Sequence, residues 1–409
     1  MRVQVHRRLV IQVQGYDARG LAENFEHFRR EYRRACELYG LTGEVGAAEE
    51  TPETFSGTWD VTTHGDGWQV ETHYRLLRWD DIVRNDFTRA VWWKIVQIYR
   101  TTGIALLNGA FGRMLRKNWR FALVAFFPIL LITTWLWLGS FVGILCMNLV
   151  AALGAPALVA KIVGGVTGVG GFASLLWLSE PITGLLQRCD EAASIDQFVN
   201  GKRRDWSERL DEFAADVAKA VRKSKADEIV IVGHGFGAVL AINVLGRALT
   251  RDGALGSSGP RVALLTLGAA LPVVGFNPEA KGFRNRLRQL ATAPGIDWID
   301  VQSRDDILSF CPFDPIAGHG IVLGAERRNP RVVAISFRDL WGRGNFALRR
   351  WRIFKAHAQF LMANERRGAA YDYTLICCGP LDLVTRATKP QQAVAAMVGK
   401  FEPDSASGR

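Results

Sequence analysis

Aliphatic runs typical of buried strands alternate along much of this chain with segments of helical period. The runs that predict strands lie at residues 9–20, where a strand leads into a glycine-containing loop, and at 229–232, 261–268, 297–302 and 331–337. The segments that predict helices lie at residues 22–40, 205–228, 238–245 and 281–293. Because strands and helices follow one another in turn, we expect an α/β fold with a mostly parallel sheet and helices on both faces.

Residues 44–120 interrupt this alternation. Residues 44–56 are acidic and polar, which predicts an exposed loop. We expect two strands on either side of residues 64–67, since the pair Asp66-Gly67 is a strong hairpin signal. Residues 80–118 have an amphipathic helical pattern that is rich in Trp and Arg. This helical segment leads directly into the most apolar part of the chain.

The apolar part is long enough to cross a membrane twice. No charged residue lies between Phe121 and Ala160, and a second uncharged run follows Lys161 as far as Ser179. A helix needs about 20 apolar residues to cross a bilayer. We therefore predict two spans, Phe121–Ile144 and Ala155–Ser179, joined by a short loop around Gly154. The alternative is a pair of helices buried in a soluble core.

Basic residues flank this hairpin on both sides and predict its orientation. Those before the first span are Arg113, Arg116, Lys117 and Arg120, and those after the second are Arg188, Lys202, Arg203 and Arg204. Basic flanks stay on the cytoplasmic side during insertion. We expect a two-span protein of the inner or plasma membrane whose soluble part is cytoplasmic, with three regions at residues 1–120, 121–179 and 180–409.

Gly164 and Gly168 form a G-x-x-x-G pair in the second span, within the glycine-rich segment Gly164–Gly171. Small residues at this spacing let two helices approach closely. The first span is the expected partner of these glycines. A second copy of the protein, giving a homo-oligomer through residues 164–171, is the alternative.

The net charge of +11 favours anionic partners. Because no nucleic-acid motif accompanies this charge, and because arginines beside a membrane span commonly meet lipid headgroups, we expect membrane lipids rather than nucleic acid as partners. The six cysteines have no metal-ligand spacing, and Cys377 and Cys378 are adjacent. We therefore expect neither a metal nor a cofactor, and a reducing cytoplasm.

A short motif follows the strand at residues 229–232. Its residues are Gly233, His234, Gly235, Phe236 and Gly237, followed by a helix of small and aliphatic residues. This arrangement resembles the nucleophile elbow of the α/β hydrolases, G-x-S-x-G, in the lipase and esterase form G-H-S-x-G. Only the third position differs, because Gly235 stands where the family has the nucleophilic serine. The resemblance implies an α/β-hydrolase-like fold, here interrupted by the transmembrane hairpin.

The resemblance also implies an acid and a base that follow the elbow in that order. Asp306, next to Asp305, lies in the loop after the predicted strand 297–302 and matches the acid position. His357 follows another strand, at the start of a predicted helix, and matches the base, whereas His319 comes too soon after the acid loop. Each residue also has an ordinary structural interpretation, since Asp commonly caps turns and helices. We expect His234 to pack beside the elbow without a catalytic role.

Glycine at position 235 is compatible with the predicted fold but not with nucleophilic catalysis at this position. Glycine accepts a strained elbow backbone without penalty, but it supplies no hydroxyl for an acyl-enzyme. The backbone groups of an oxyanion hole would survive, and the resemblance places them at Phe236, Gly15 and Tyr16.

Three hypotheses remain open for the function. The chain is a membrane-anchored binding or scaffold protein that is catalytically inactive, a weak hydrolase in which Asp306 and His357 activate water, or a Ser-to-Gly variant of an active serine hydrolase. The expected ligand class is an acyl ester or a lipid. A transporter or channel is disfavoured, because two spans without a polar stripe build no pathway.

Overall fold

The computed structural model describes residues 4–342, 346, 349, 352–367, 369–388 and 390–398. Their contacts divide the chain into two compact units. The first contains the residues up to Arg84 and those from Arg203 onward, and the second is Asn85–Lys202. The first unit is mixed α/β with a mostly parallel sheet, as the alternating pattern predicts, and the second unit is helical.

One nine-stranded sheet organises the first unit. Its strands are β1 (Arg7–Val13), β2 (Thr42–Val45), β3 (Glu49–Thr51), β4 (Ser56–Gly65), β5 (Trp68–Leu77), β6 (Glu228–His234), β7 (Arg261–Leu267), β8 (Ile296–Ser303) and β9 (Arg331–Ile335). The order is β2-β4-β5-β1-β6-β7-β8-β9, with β3 paired to β4. All pairs from β5 to β9 are parallel, whereas β2, β3 and β5 are antiparallel to β4.

Aliphatic residues fill the central strands because helices cover both faces there. Val10, Ile11 and the run Ile229–Val232 have no exposed surface. Strands covered on both faces are continuously apolar rather than alternating. The turn between β4 and β5 consists of Asp66 and Gly67, as the hairpin signal predicts.

The helices of the first unit cover the sheet. They are α1 (Leu21–Tyr39), most of α2 (Asp80–Phe87), α8 (Arg204–Lys223), α9 (Phe236–Arg251), α10 (Leu271–Gly275), α11 (Lys281–Thr292), α12 (Phe337–Leu340), α13 (Ile353–His357), α14 (Tyr373–Cys378), α15 (Leu383–Thr388) and α16 (Pro390–Val398). The core between α1 and the sheet is aromatic: the rings of Trp59 and Tyr74 stack at 4.5 Å, and Phe28 lies 4.8 Å from Tyr74.

A buried ion pair holds the C-terminal helices on this unit. Arg8 donates to Glu228 at 2.8 Å, and both side chains are buried. The same guanidinium donates to the backbone carbonyls of Cys377, Gly379 and Leu381. The segment after α14 is therefore fixed to β1 and β6 by charge-assisted hydrogen bonds.

The second unit contains the helices α3 (Val91–Leu107), α4 (Ala110–Lys117), α5 (Trp119–Ala152), α6 (Ala157–Thr183) and α7 (Leu185–Val199). Both α5 and α6 are long and apolar enough to cross a membrane by length and composition, and only 17% and 11% of their most apolar windows are buried. They pack closely at glycines. A Cβ built on Gly143 would lie 2.5 Å from the Gly164 carbonyl oxygen, so Gly164 faces α5 within the same chain.

Several boundaries differ from those predicted. Residues 44–56 are not a loop, because β2 and β3 pair with β4 there. The helical pattern of residues 80–118 is divided among α2, α3 and α4, which end at Phe87, Leu107 and Lys117. Helix α5 is longer than the first predicted span at both of its ends, whereas α6 begins two residues after the predicted start of the second span and extends beyond its predicted end. His357 ends a short helix instead of starting one.

Candidate functional site

The turn between β6 and α9 places Gly235 in a backbone conformation that favours glycine. Its φ is 56° and its ψ is −118°, a left-handed region that L side chains rarely adopt. The Gly235 amide donates to the Leu267 carbonyl at 3.0 Å, and its own carbonyl accepts from the Ala270 amide at 3.1 Å. The residues that follow β7 therefore hold this turn from both sides.

The two flanking glycines are needed because β6, β1 and α9 approach one another closely. A Cβ built on Gly233 would lie 2.5 Å from the Ala238 Cα, and one on Gly237 would lie 2.6 Å from the Val13 carbonyl oxygen. No side chain fits at either distance without moving backbone. The spacing of glycines in the motif therefore has a packing explanation at both ends.

Asp306 and His357 form a partly buried pair behind this turn. Asp306 Oδ2 lies 2.7 Å from His357 Nδ1, and Asp306 Oδ1 accepts from the Leu308 amide at 3.0 Å. The Asp306 side chain is fully buried. Because a carboxylate only accepts, the ring proton belongs on Nδ1, and a neutral ring then has its lone pair on Nε2.

His357 Nε2 is directed at Gly235. A Cβ built on Gly235 would lie 2.7 Å from this nitrogen. The fold thus brings together Gly235, Asp306 and His357, the residues for which the resemblance implies the positions of nucleophile, acid and base. The same distance shows that the imidazole lies where a side chain of residue 235 would begin. Any larger residue there requires the ring to withdraw.

His234 supports the backbone of His357. Its Nε2 lies 3.0 Å from the His357 carbonyl oxygen, and the two rings are 4.2 Å apart. Burial, followed by repulsion from His357, lowers the pKa of His234 well below its usual value. His234 is therefore neutral near pH 7 and donates its Nε2 proton to the carbonyl, which can only accept.

The residues predicted for an oxyanion hole lie around the same turn. Phe236 is the first residue of α9, so its amide is among the helix N-terminal donors that have no intrahelical partner. Gly15 follows β1, and a Cβ built on it would lie 3.3 Å from the Gly237 amide nitrogen. Trp79 Nε1 donates to the Gly15 carbonyl at 2.7 Å, and the Tyr16 ring packs 5.8 Å from that of Trp206.

Two alternative candidates lie elsewhere. Asp305 accepts from the Ser336 hydroxyl and from the Phe337 amide, so its carboxylate holds the start of α12. The His319 ring packs against Phe276 and Phe313, and burial lowers its pKa to about 4. The fold therefore brings Asp306 and His357, rather than Asp305 and His319, to the turn.

Comparisons with protein-family models, with curated proteins and with solved structures found no match to this chain. The geometry of the site must therefore carry the functional argument by itself. Among the residues that the structure describes, no group of three or more His, Cys, Asp and Glu side chains could hold a metal ion.

Two residues that shape the site were not predicted. Gly268 has a φ of 50°, and a Cβ built on it would lie 3.0 Å from His357 Cε1 and 2.5 Å from the Phe360 ring. Phe360 also packs edge-on against the imidazole, with ring centroids 6.1 Å apart. The only sequence signal for Gly268 is its position at the end of an aliphatic run. Its closeness to His357 and Phe360 depends on the tertiary fold and leaves no signal in the local sequence.

Proposed function

We propose that this chain is a membrane-anchored α/β-hydrolase-like protein, related to serine hydrolases of esters or lipids, in which acyl transfer through residue 235 has been lost. The observation that carries the proposal is the direction of His357 Nε2 toward Gly235, with Asp306 behind the ring. The chain order of Gly235, Asp306 and His357 and the strand–turn–helix around Gly235 support the same relationship.

The site keeps a base and lacks a nucleophile at the turn. Covalent catalysis would need a hydroxyl or thiol beside Nε2, and glycine supplies neither. We propose that the chain binds an acyl ester or a lipid without forming an acyl-enzyme. A base without a nucleophile can still act on water, and enzymes that lose a triad member retain about 10³ to 10⁴-fold catalysis over water. The intact Asp306–His357 pair therefore favours weak water-mediated hydrolysis as the second candidate.

The position of the imidazole shows what the third hypothesis, a Ser-to-Gly variant of an active enzyme, would require: with serine at residue 235 the ring must withdraw. The Oγ of a serine that donates to Nε2 lies about 2.7 to 3.0 Å from that nitrogen. The Cβ that carries the Oγ then lies farther from Nε2 than the Oγ does. Here the Cβ position itself is 2.7 Å from Nε2. The arrangement fits glycine at residue 235 without rearrangement.

Membrane anchoring is supported by α5 and α6. Their apolar side chains are widely exposed, including Phe141, Leu145, Val166 and Val169. Exposed apolar surface on this scale is expected where lipid is the solvent. The basic flanks favour a two-span hairpin in an inner or plasma membrane, with the remainder of the chain cytoplasmic.

Turnover of an activated acyl ester by the purified full-length protein tests the catalytic part of the proposal. We expect no initial burst and no acyl adduct in the intact mass, because an acyl-enzyme cannot form at Gly235. The matched variants are Asp306→Asn and His357→Ala. Equal slow hydrolysis in all three proteins supports the binding function, and hydrolysis that both variants lose supports water activation. An acyl adduct mapped to residues 233–238 would contradict both.

A further inference from the structure

The stretch of chain that contains α3, α4 and most of the apolar hairpin carries charge of one sign. Between Asp86 and Glu180 the chain has no acidic residue, although it has eight basic ones. Arg116, Lys117 and Arg120 are exposed, and they follow one another where α4 leads into α5. A group of exposed basic side chains such as these three attracts anionic groups and repels the same group on a second copy of the chain.

Helix α3, which precedes this basic segment, has two different faces. Its inner face meets α7 through apolar contacts of Ile98 and through a buried ion pair: Lys94 Nζ lies 2.6 Å from Asp190 Oδ2, and both side chains are buried. Its outer face is apolar and open. Trp92 is 68% exposed, Val96 and Leu106 are each 53% exposed, and Leu107 is 91% exposed. These residues recur with helical spacing on one side, so α3 presents an exposed apolar stripe.

The contacts of α3 place it about one hydrocarbon thickness from the tip of the hairpin. Counting back about 20 residues from Ala152, the end of α5, leads to Thr133. The Thr133 hydroxyl lies 2.6 Å from the Tyr99 hydroxyl of α3. Counting forward about 20 residues from Ala157, the start of α6, leads to Leu176. Leu176 belongs to the same buried cluster as Ile98 of α3.

Aromatic side chains mark the same level on the hairpin. Trp135 Nε1 donates to the Ser179 hydroxyl at 3.1 Å, and the neighbouring Trp177 is 76% exposed. Indole and phenol rings concentrate where hydrocarbon meets headgroups. Both helices of the hairpin and the contact with Tyr99 therefore give one consistent position for the boundary.

From these observations we propose that α3 and α4 form an interfacial collar, which lies in the headgroup region of an anionic phospholipid leaflet. Trp92, Val96 and Leu107 enter the leaflet, while Arg116 and Lys117 pair with lipid phosphates. This proposal rests on the membrane anchoring proposed above. A second copy of the chain is a poorer occupant, because it would bring two positive surfaces together. Amphipathic helices bind such leaflets by this combination of buried apolar area and charge.

The collar can be tested in the full-length protein by placing a polarity-sensitive fluorophore on single cysteines. The labelled variants are Val96→Cys on the collar, Leu145→Cys on the hairpin and Glu212→Cys on the exposed side of α8, in a background with Cys146→Ala and Cys311→Ala. Each protein is reconstituted in nanodiscs of phosphatidylcholine, alone or with phosphatidylglycerol. Quenchers are supplied in water, on lipid near the headgroup, or near the end of the acyl chain.

We expect residue 145 to be quenched from the acyl-chain end, residue 96 from near the headgroup, and residue 212 from water. Residue 96 should lose accessibility to water further when phosphatidylglycerol is present, and Arg116→Gln with Lys117→Gln should abolish that gain. If residue 145 is quenched only from water, membrane anchoring is wrong. If residue 145 is quenched from lipid but residue 96 from water, the collar alone is wrong. If residue 96 is shielded from every quencher, protein covers it, which also overturns the collar.

Discussion

Gly235 shows how a single glycine can determine the backbone geometry of a turn. Its positive φ, the hydrogen bond that its amide donates to the Leu267 carbonyl and the one that its carbonyl accepts from the Ala270 amide fix the turn without any side chain. The motif and its resemblance predicted the turn, and the order of acid and base in the resembling family led to the choice of Asp306 and His357. The 2.7 Å approach of the imidazole to the Cβ position was not predictable, because it depends on how α13 packs against a turn more than 100 residues away in sequence.

Asp300 is a buried carboxyl whose raised pKa couples its protonation to folding. It lies on β8 and accepts from the Thr266 hydroxyl and from Gln302 Nε2, but burial raises its pKa to about 6. The unfolded chain would release the same proton near pH 3.9, at about the ordinary value for Asp. The folded protein therefore binds this proton more tightly than the unfolded chain does.

The resulting pH dependence can be measured against Asp300→Asn. A raised carboxyl pKa contributes stability below pH 4 that is lost as the pH rises toward 6. We expect the unfolding free energy of the unmodified protein, relative to Asp300→Asn, to fall by about 2 kcal/mol between pH 4 and pH 7. Denaturant unfolding in detergent measures it, with the exposed Asp66→Asn as control. A difference between Asp300→Asn and the unmodified protein that stays constant with pH would show that Asp300 does not titrate in this range.

At the scale of elements, the local sequence pattern predicted those strands and turns that are determined by residues close together in sequence. The strands β1, β6, β7, β8 and β9 follow from aliphatic runs, and the β4–β5 turn follows from Asp66-Gly67. The edge strands β2 and β3 were missed. Their residues are polar and exposed, and what makes them strands is pairing with β4, which the local pattern cannot show.

The packing of α5 on α6 predicts that substitution destabilises the protein at only one of two adjacent glycines. A Cβ on Gly164 would lie 2.7 Å from the Met147 Cβ and 2.9 Å from the Gly143 carbonyl oxygen, whereas a Cβ on Gly165 meets nothing within 4 Å. We expect Gly164→Leu to lower the thermal midpoint in detergent by several degrees, since overpacking costs about 1 to 3 kcal/mol. Gly165→Leu, with the same gain in helix propensity, should leave the midpoint unchanged. Equal midpoints for the two variants would contradict close packing within one chain.

At the scale of the whole molecule, a helical unit is inserted between two parts of an α/β unit. The chain leaves the sheet unit after Arg84 and returns to it at Arg203, and the sheet is completed by strands from both sides of the insertion. The uncharged runs predicted the two long helices. The extent of the inserted unit was not predictable from hydropathy, because α3 and α7 are held to it by contacts such as Lys94 with Asp190.

The proposed topology predicts the side on which the hairpin tip is exposed. Ala152 lies at the end of α5, next to the connection between the two apolar helices. With Cys146→Ala and Cys311→Ala, Ala152→Cys should react with a membrane-impermeant maleimide only from the non-cytoplasmic side. Glu212→Cys should react only from the cytoplasmic side. Labelling of residue 152 from the cytoplasm would contradict the two-span hairpin.

Labelling with a fluorophosphonate probe tests the central claim most directly, namely that an acid and a base surround a position without a nucleophile. The probe reacts with activated hydroxyls, so the unmodified protein should remain unlabelled. In Gly235→Ser the imidazole must withdraw from the new Cβ, and the strained backbone costs a non-glycine residue about 1 to 3 kcal/mol. We nevertheless expect this variant to be labelled at residue 235, and His357→Ala added to it should remove the label. Strong labelling of the unmodified protein, or a folded Gly235→Ser protein that stays unlabelled, would contradict the account.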